Sequence, residues 1–458
     1  MRVLSRIWAW GTGPGARGMG HGAWGRTALG MPHAPGPMPA FGLRWILGIA
    51  ALFAFASEAS AQRRIILFIG DGVGVSQWTA ARMASPDALA VSQFKVMGLI
   101  DTRASNALIT DSGAGATAYA TGVRSYYLSI GVGPDSQPVE TVLEAAKKKG
   151  WATGLVATSS VTHATPAAFA SHVKSRASEF DIAKQMAALG PEVMLGSGTR
   201  FFSSRTRPDS QDLIGPLRAT HTVVTDSAAF NAALRDTTIR RMVGLFGETE
   251  MPHAARRAPT LPAMTRKAID ILSRDPDGFF LMVEGSQTDW RAHDNMPMKW
   301  IVDEILDFDA AIGVALEYQR RVPDVLILVL ADHETGGLAI ETATDSMVMV
   351  AAADSLSRAI RGMVPALPLL SAAAADSADS AIIRMQITAA RLRANARGAR
   401  TERLFADYTT GGHTAQMVPL FASGPGAAAF GGMIDNFRVG QMLLEIVRRP
   451  APPTRRRR

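Results

Sequence analysis

The chain has 458 residues, of which 47% are hydrophobic and 19% are charged, a balance typical of a globular protein with a sizeable core. It contains no cysteine, which excludes a disulfide framework, a thiolate metal site and a cysteine nucleophile. The net charge of +8 comes from residues 1–61 (+4) and 448–458 (+6), which leaves the body at about −2, so we expect no site specific for nucleic acid.

The first predicted element is a secretory signal peptide at residues 38–61. The stretch "LRWILGIAALFAFASEASAQ" contains, in this order, a basic residue, an apolar run and a small-residue cleavage pattern. The run is short for a membrane span, so cleavage after Ala61 would leave no span. Residues 1–37 are rich in Gly and Pro and without pattern, and we interpret them as an over-extended or disordered start, with Met38 as the true first residue. We therefore expect a periplasmic or secreted protein.

From Gln62 onward, short apolar runs alternate with helical patterns. This alternation predicts an α/β fold with a central, mostly parallel sheet that is flanked by helices on both faces. In chain order the predicted elements are the strand "RIILFIG", the helix "VETVLEAAKKKG", the strands "WATGLVAT" and "FFLMVEG", the helix "MKWIVDEILDFDAAIGVALEYQRR" and the strand that opens "DVLILVLADHETGG". The Ala/Ser/Asp-biased segment at about 340–400 is predicted to be a surface insertion, and residues 448–458 a disordered Arg-rich tail.

Three of the apolar runs end in acidic residues. Asp71 follows the first run, Glu284 and Asp289 follow "FLMV", and Asp332 precedes His333 at the end of "LILVLA". A single acid after a strand is usually a turn residue or a helix cap. However, ligands of open α/β sheets bind outside the carboxyl ends of the strands, where these side chains would converge. Crowded carboxylates repel one another unless a cation joins them.

Histidines accompany these acids. Asp289 and His293 are one helical turn apart and can face one ion, although such a pair alone is more often a surface contact. His413 lies in the flexible stretch "TTGGHTAQ". Without cysteine, a zinc ion needs His and carboxylate ligands, with one position open for substrate. Each residue alone favours a structural role, but their joint occurrence predicts a metal site.

The stretch "TDSGAGATAYATG" places Asp111 and Ser112 before a run of small residues. A helix that begins at Ser112 would direct free N–H groups at an incoming anion, and small residues would let the anion approach. A metal ion could stabilise the serine alkoxide, since the chain offers no obvious Ser–His–acid triad in a G-x-S-x-G turn. At this point an ordinary helix N-cap remains an open alternative.

Six motifs together resemble the alkaline phosphatase family, in its order and approximate spacing, over about residues 63–447. They are "IGDGVG", "TDSGAGATAYATG", "THATPAAFASHVKSR", "FLMVEGSQTDWRAHDN", "ADHETGG" and "GGHTAQMVPLFASGPGA". The resemblance implies hydrolysis of phosphate monoesters at alkaline pH through a phosphoserine. It matches Ser112 to the nucleophile and Arg176 to the arginine that binds two phosphoryl oxygens. Without the family spacing, Arg176 would be interpreted as a solvated charge at a helix end.

The resemblance also implies two zinc ions and one magnesium ion per chain. The matching ligands are Asp289, His293 and His413 for the first zinc, Asp71, Asp332 and His333 for the second, and Asp71, Thr165 and Glu284 for the magnesium. Two positions depart from the best-known bacterial pattern: His163 replaces an Asp near the magnesium site, and Trp290 replaces a Lys that helps to bind phosphate. For His163, the sequence is equally compatible with a contact to the metal ligands and with simple packing of the ring.

Two other functions remain open from the sequence. One is a phosphodiesterase, pyrophosphatase or sulfatase of the same superfamily; the third metal site and Arg176 favour monoesters, because together they bind a doubly charged terminal group. The other is a non-catalytic protein that binds metal or phosphate, which would not need Ser112. Since family members are often homodimers, the resemblance also implies a homodimer.

Overall fold

The computed structural model describes residues 62–343 and 403–450, together with six single positions between these ranges. The predicted signal peptide at 38–61, the residues before it, the Arg-rich residues from 451 onward and most of the predicted insertion lie outside the described residues. Among the described helices, none combines the length and the apolar character that a bilayer crossing requires.

The fold is built on one large sheet. In chain order the strands are β1 (Arg64–Gly70), β2 (Val96–Asp101), β3 (Ala152–Ser160), β4 (Val193–Ser197), β5 (Thr222–Val224), β6 (Met242–Leu245), β7 (Phe279–Gly285), β8 (Val325–Ala331), β9 (Glu334–Thr335), β10 (Leu338–Ala343), β11 (Arg403–Tyr408), β12 (His413–Thr414), β13 (Val418–Ser423) and β14 (Gly432–Asp435). Ten of them form a sheet in the order β14-β2-β13-β8-β1-β7-β3-β4-β6-β5, while β9 pairs with β12 and β10 with β11. Within the large sheet β13 is antiparallel to both of its neighbours, and the other pairs are parallel. The predicted fold class is confirmed.

Helices cover both faces of this sheet. In chain order they are α1 (Val75–Ala84), α2 (Ser112–Thr121), α3 (Val142–Lys148), α4 (Ala164–Ala170), α5 (Glu179–Leu189), α6 (Thr199–Phe202), α7 (Ile214–Arg218), α8 (Ser227–Leu234), α9 (Leu261–Leu272), α10 (Gln287–His293), α11 (Met298–Arg321) and α12 (Asn436–Arg448). Phe169 of α4 stacks on Phe280 of β7, whereas Phe308 of α11 meets Phe68 of β1 edge-on. Phe280 is aligned with Ile65, three residues before Phe68, so the two strand phenylalanines point to opposite faces.

The elements predicted from the sequence are present. The predicted strands correspond to β1, β3, β7 and β8, and the predicted helices to α3 and α11. Almost every residue of these four strands is buried, as expected for parallel strands that are covered on both faces. Helix α3 begins at a capping box, in which Thr141 and Glu144 each bond the backbone N–H of the other.

Two predicted boundaries fall at described elements. The insertion predicted at about 340–400 begins within strand β10, which pairs with β11 up to Ala343. The Arg-rich tail predicted at 448–458 begins at Arg448, which ends helix α12 and donates to Glu140 at 2.6 Å. A cation in the last turn also interacts favourably with the helix dipole.

The carboxyl ends of three central strands are level with one another. Gly70, the last residue of β1, is aligned with Gly285 of β7 and with Ala331 of β8. The N–H of Asp71 donates to the carbonyl of Gly285 at 3.0 Å. Residues that end or follow these strands therefore emerge at one edge of the sheet, where convergence of the acidic residues was expected.

Candidate active site

Three carboxylates meet at this edge of the sheet. Asp71, Glu284 and Asp332 are fully buried. One oxygen of Asp332 accepts the backbone N–H groups of Gly72, at 3.2 Å, and of His333, at 3.0 Å. This bend of the chain turns the side chains of Asp332 and His333 inward, so that Asp332 Oδ2 lies 3.4 Å from His333 Nε2. The adjacent side chains therefore converge.

A first group of ligand atoms combines α10 with β12. Asp289 Oδ1 lies 3.3 Å from His293 Nε2 across one helical turn, as predicted, and 3.6 Å from His413 Nε2. The Nε2 atoms of the two histidines are 3.0 Å apart. Both rings can donate Nδ1–H to a backbone carbonyl, His293 to Gly411 at 2.7 Å and His413 to Thr110 at 2.8 Å. That arrangement leaves both Nε2 lone pairs for a metal ion.

A second group surrounds His333. Its Nε2 lies 3.5 Å from Asp71 Oδ1 and 3.4 Å from Asp332 Oδ2. Ligand atoms of Asp71, Asp289 and His333 also lie within 4.8 Å of one another. The ring of His333 stacks on that of His413, with centroids 3.6 Å apart. The two predicted zinc sites are therefore next to each other.

A third group contains the predicted magnesium ligands. Ligand atoms of Asp71, Glu284 and His163 lie within 4.8 Å of one another. Thr165, in the first turn of α4, is fully buried beside Glu284, yet its hydroxyl makes no hydrogen bond of ordinary geometry. Ser286 Oγ donates to Glu284 Oε2 at 2.7 Å and leaves Oε1 without a hydrogen bond.

Burial and mutual repulsion perturb these groups strongly. Burial raises the pKa of Glu284 to about 7. Burial, and then the charge of Asp289, raises the pKa of Asp332 to about 6. Burial and the neighbouring carboxylates, Asp332 first among them, raise the pKa of Asp71 well above its ordinary range. Burial lowers the pKa of His333 to about 4, so this ring is neutral at physiological pH.

The donor set fits metal ions. Asp71 Oδ1, Glu284 Oε1 and Asp332 Oδ2 are buried oxygens without a hydrogen bond. Leaving such atoms unsatisfied is costly, and a divalent cation would both occupy them and cancel the repulsion. The first and second groups, with His293, His413 and His333, suit zinc, whereas the oxygens of Asp71, Glu284 and Thr165 in the third group suit magnesium.

Ser112 lies beside the second group. It is the first residue of α2 and is only 1% exposed. Its Oγ lies 3.2 Å from His333 Nε2 and 3.5 Å from Asp71 Oδ2. The structure therefore brings the predicted nucleophile to the predicted second zinc site.

The small residues of α2 pack closely against the site. A Cβ atom at Gly115 would lie 3.1 Å from the carbonyl oxygen of Asp332, so glycine lets the helix approach the site closely. The side chain of Asp111 accepts the N–H groups of Gly113, at 2.9 Å, and of Ala114, at 3.2 Å. The expectation of free N–H groups is therefore wrong for these two residues. Asp111 is an N-cap, and the small run serves packing.

Arg176 is held between two side chains. It donates to Asp111 Oδ2 at 3.1 Å and to His163 Nε2 at 2.9 Å. Because a guanidinium only donates, His163 must accept at Nε2 and carry its proton on Nδ1. Burial, and then the charge of Arg176, lowers the pKa of His163 to about 3. The ring of Trp290 meets that of His163 edge-on, with centroids 5.8 Å apart, so the two departures from the bacterial pattern contact each other.

One residue of the site was missed in the sequence. The hydroxyl of Thr335 donates to Asp289 Oδ1 at 2.5 Å, and its oxygen lies 3.1 Å from His333 Nδ1. It thus joins ligands of the first and second groups. Its place two residues after His333 in "ADHETGG" was the available signal, but a threonine alone does not indicate which ligand it contacts.

Comparison with known proteins gives matches over the body of the chain. The family model "Alkaline phosphatase" matches residues 62–448. Alkaline phosphatase 3 of Bacillus subtilis (strain 168) is 32% identical over 84% of this chain and 91% of its own. The solved alkaline phosphatase of the Antarctic bacterium TAB5 is 31% identical, with a TM-score of 0.67 over 85% of this chain and 99% of its own. A variant of the TAB5 enzyme with a histidine replaced by aspartate, and with Mg bound in the M3 site, is 30% identical, with a TM-score of 0.68 over the same shares.

Proposed function

Since the chain belongs to the alkaline phosphatase family and is therefore a phosphomonoesterase, we propose that it acts through a phosphoserine on Ser112 at a site for two zinc ions and one magnesium ion. The observation that carries this proposal is the position of Ser112 Oγ, 3.2 Å from His333 Nε2 and 3.5 Å from Asp71 Oδ2. Small-molecule phosphate esters are the substrates that fit the family.

The metal ligands follow from the three groups of donor atoms. We assign Asp289, His293 and His413 to the first zinc, Asp71, Asp332 and His333 to the second, and Asp71, Thr165 and Glu284 to the magnesium. Bound there, the ions would supply positive charge that lowers the pKa of a hydroxyl or of water and neutralises phosphoryl oxygens. The buried oxygens without hydrogen bonds support this assignment.

The chain supplies the nucleophile. Ser112 Oγ loses its proton to solvent and bonds to phosphorus as the bond from phosphorus to the alcohol oxygen of the substrate breaks, and the alcohol leaves with a proton from solvent. Water then cleaves the phosphoserine, which restores the hydroxyl and releases inorganic phosphate.

Arg176 orients the phosphoryl group in this proposal. Its planar guanidinium can donate two parallel hydrogen bonds to two phosphoryl oxygens, which an ammonium cannot do. The contacts with Asp111 and His163 hold it in place before substrate binds. Preorganisation of this kind reduces the entropy that binding must overcome.

One experiment separates this function from its rivals. The purified protein is analysed for zinc and magnesium, and the hydrolysis of p-nitrophenyl phosphate is compared with that of its bis-ester, with EDTA and after zinc add-back. We expect faster hydrolysis of the monoester, loss of activity in EDTA and recovery with zinc. Faster hydrolysis of the bis-ester would favour a diesterase, and a zinc-loaded protein without turnover would favour a binding protein.

We propose export and a homodimer as well. The signal-peptide pattern at 38–61 supports export, and sequencing the mature N-terminus tests cleavage after Ala61.

Exposed apolar side chains on one face of the β2–β14 sheet edge, where Leu99 is aligned with Met433, support contact with a second copy. Light scattering of Met433→Glu tests this contact, and an unchanged dimer would contradict it.

A further inference from the structure

Glu334 is a buried acid outside the three groups of ligand atoms. It directly follows His333 and is fully buried. Among the described residues no basic side chain forms an ion pair with it; its carboxylate is instead held by neutral donors. These are the side chain of Gln77 at 2.8 Å, the N–H groups of Gly337 and Leu338 at 3.2 Å each, and the hydroxyl of Thr414. A buried carboxylate is costly to desolvate, so four converging donors indicate a defined local role.

These donors come from three separate segments. Gln77 belongs to α1, Gly337 lies between β9 and β10, and Thr414 belongs to β12. Of these donors, Thr414 is the nearest in the chain to a proposed metal ligand, because it immediately follows His413. In the pairing of β12 with β9, Thr414 is aligned with Glu334, and His413 with Thr335.

The backbone alone gives this pairing little strength. Strands β9 and β12 have two residues each, and so short a ladder is marginal by itself. Yet it sets the position of His413 against His333, whose rings stack at 3.6 Å. The side-chain bond from Thr414 to Glu334 crosses the same ladder and reinforces it.

The surroundings fix the carboxylate. A Cβ atom at Gly74 would lie 2.4 Å from Glu334 Cγ, which leaves no room for the side chain to shift in that direction. Gly337 has a φ of +56°, and a Cβ there would lie 2.0 Å from the hydroxyl oxygen of Thr409. The turn that supplies one of the N–H donors is therefore closely packed.

We propose that Glu334 is a positioning residue that, through Thr414, keeps β12 paired with β9 and so holds the ring of His413 against that of His333. It fixes the separation of the two zinc sites without touching the metal or the substrate. The inference rests on the proposed function, because it takes both histidines as zinc ligands.

The test uses isosteric changes on the Thr414 side. Thr414→Val removes the hydroxyl that bonds Glu334, and Thr414→Ser keeps it. The matched control is Thr153→Val, because Thr153 also donates a buried hydroxyl to a carboxylate, Glu192 at 2.9 Å, but near the opposite end of its strand from the site. Each zinc-loaded protein is mixed with a chromophoric chelator, and zinc release is timed; thermal unfolding is measured separately in EDTA.

Thr414→Val is expected to release zinc about 10- to 100-fold faster than the wild type, the usual effect of removing a group that orients a metal ligand. Thr414→Ser should release it at nearly the wild-type rate. Thr153→Val should lose stability in EDTA without faster release. Equal release rates for Thr414→Val and the wild type, with zinc bound to both, would overturn the inference. A wild-type protein that binds no zinc would overturn the proposed function, and this inference with it.

Discussion

Arg176 and Asp111 form an ion pair, with Nη1 and Oδ2 3.1 Å apart, at the first turn of the helix that carries Ser112. The same carboxylate caps that helix by accepting two of its N–H groups. Asp111, the N-cap of this helix, therefore also holds Arg176, the residue that we propose binds phosphate.

Asp111→Asn separates these two tasks. Asparagine keeps a cap oxygen but lacks the charge that holds Arg176. Because the ion pair is worth about 1 kcal/mol, we expect the KM and the inhibition constant of inorganic phosphate to rise about 3- to 10-fold. Steady-state kinetics on p-nitrophenyl phosphate measure both constants. Asp226→Asn is the control, because Asp226 caps α8 through Ala229 and should leave both constants unchanged. Unchanged constants in Asp111→Asn would contradict the role of the pair.

Ser112→Ala should lower kcat by at least ~10³-fold, since it removes the proposed nucleophile. The hydroxyl makes only contacts of 3.2 and 3.5 Å, so the fold and the metal content should remain. Acid quenching of the protein with a labelled monoester measures covalent phosphate directly. Ser197→Ala is the control, because that buried hydroxyl makes no hydrogen bond. Covalent label that persists in Ser112→Ala would rule out a phosphoserine at this residue.

Glu284→Gln should change how stability depends on pH in the metal-free protein. Burial raises the folded-state pKa of Glu284 to about 7, from about 4.5 for an exposed glutamate. The folded state then binds more protons than the unfolded state between these pH values, so Glu284 makes the free energy of unfolding fall as pH rises through this window. The variant lacks this contribution.

Urea unfolding in EDTA at several pH values measures the difference. We expect Glu284→Gln to gain stability relative to the wild type as pH rises from about 4.5 to about 7, because glutamine does not ionise. With metal ions restored, the wild type should be more stable than Glu284→Gln, because the carboxylate of Glu284 then binds a cation. Parallel pH curves for the two metal-free proteins would disprove the raised pKa.

His163→Asp should tighten magnesium binding by about tenfold or more, because Mg²⁺ prefers carboxylate oxygen and the native ring carries its proton on Nδ1. Titration of the zinc-loaded protein with magnesium in a calorimeter measures the affinity. His163→Asn is the control, because it removes the ring without adding charge. Equal magnesium affinity in the two variants would show that charge at this position does not matter.

The fold was largely predictable because it depends on local signals, whereas the full set of ligands was implied by the family resemblance and stays a prediction. Apolar runs gave the parallel strands, and the acids at their ends were expected to converge once the strands were aligned. The position of Asp289 one turn before His293 placed both on one side of α10. Contacts between distant segments carry no such signal, because they depend on the register between strands that are far apart in the chain.

Two examples show that limit. The bond from Thr335 to Asp289 depends on where β9 meets α10, which periodicity does not reveal. The small residues of α2 were interpreted as a path for an anion, whereas Gly115 admits the backbone of Asp332. In both cases the residue type was visible in the sequence, but its neighbour was not.

The position of β13 has a consequence for synthesis of the chain. This late strand lies between β8 and β2, so β2 has no link to the rest of the sheet until residues 418–423 have emerged. His413 also precedes it by only a few residues. A nascent chain thus cannot join β2 to the other strands of the sheet before β13 has been made, so this sheet is completed late in synthesis.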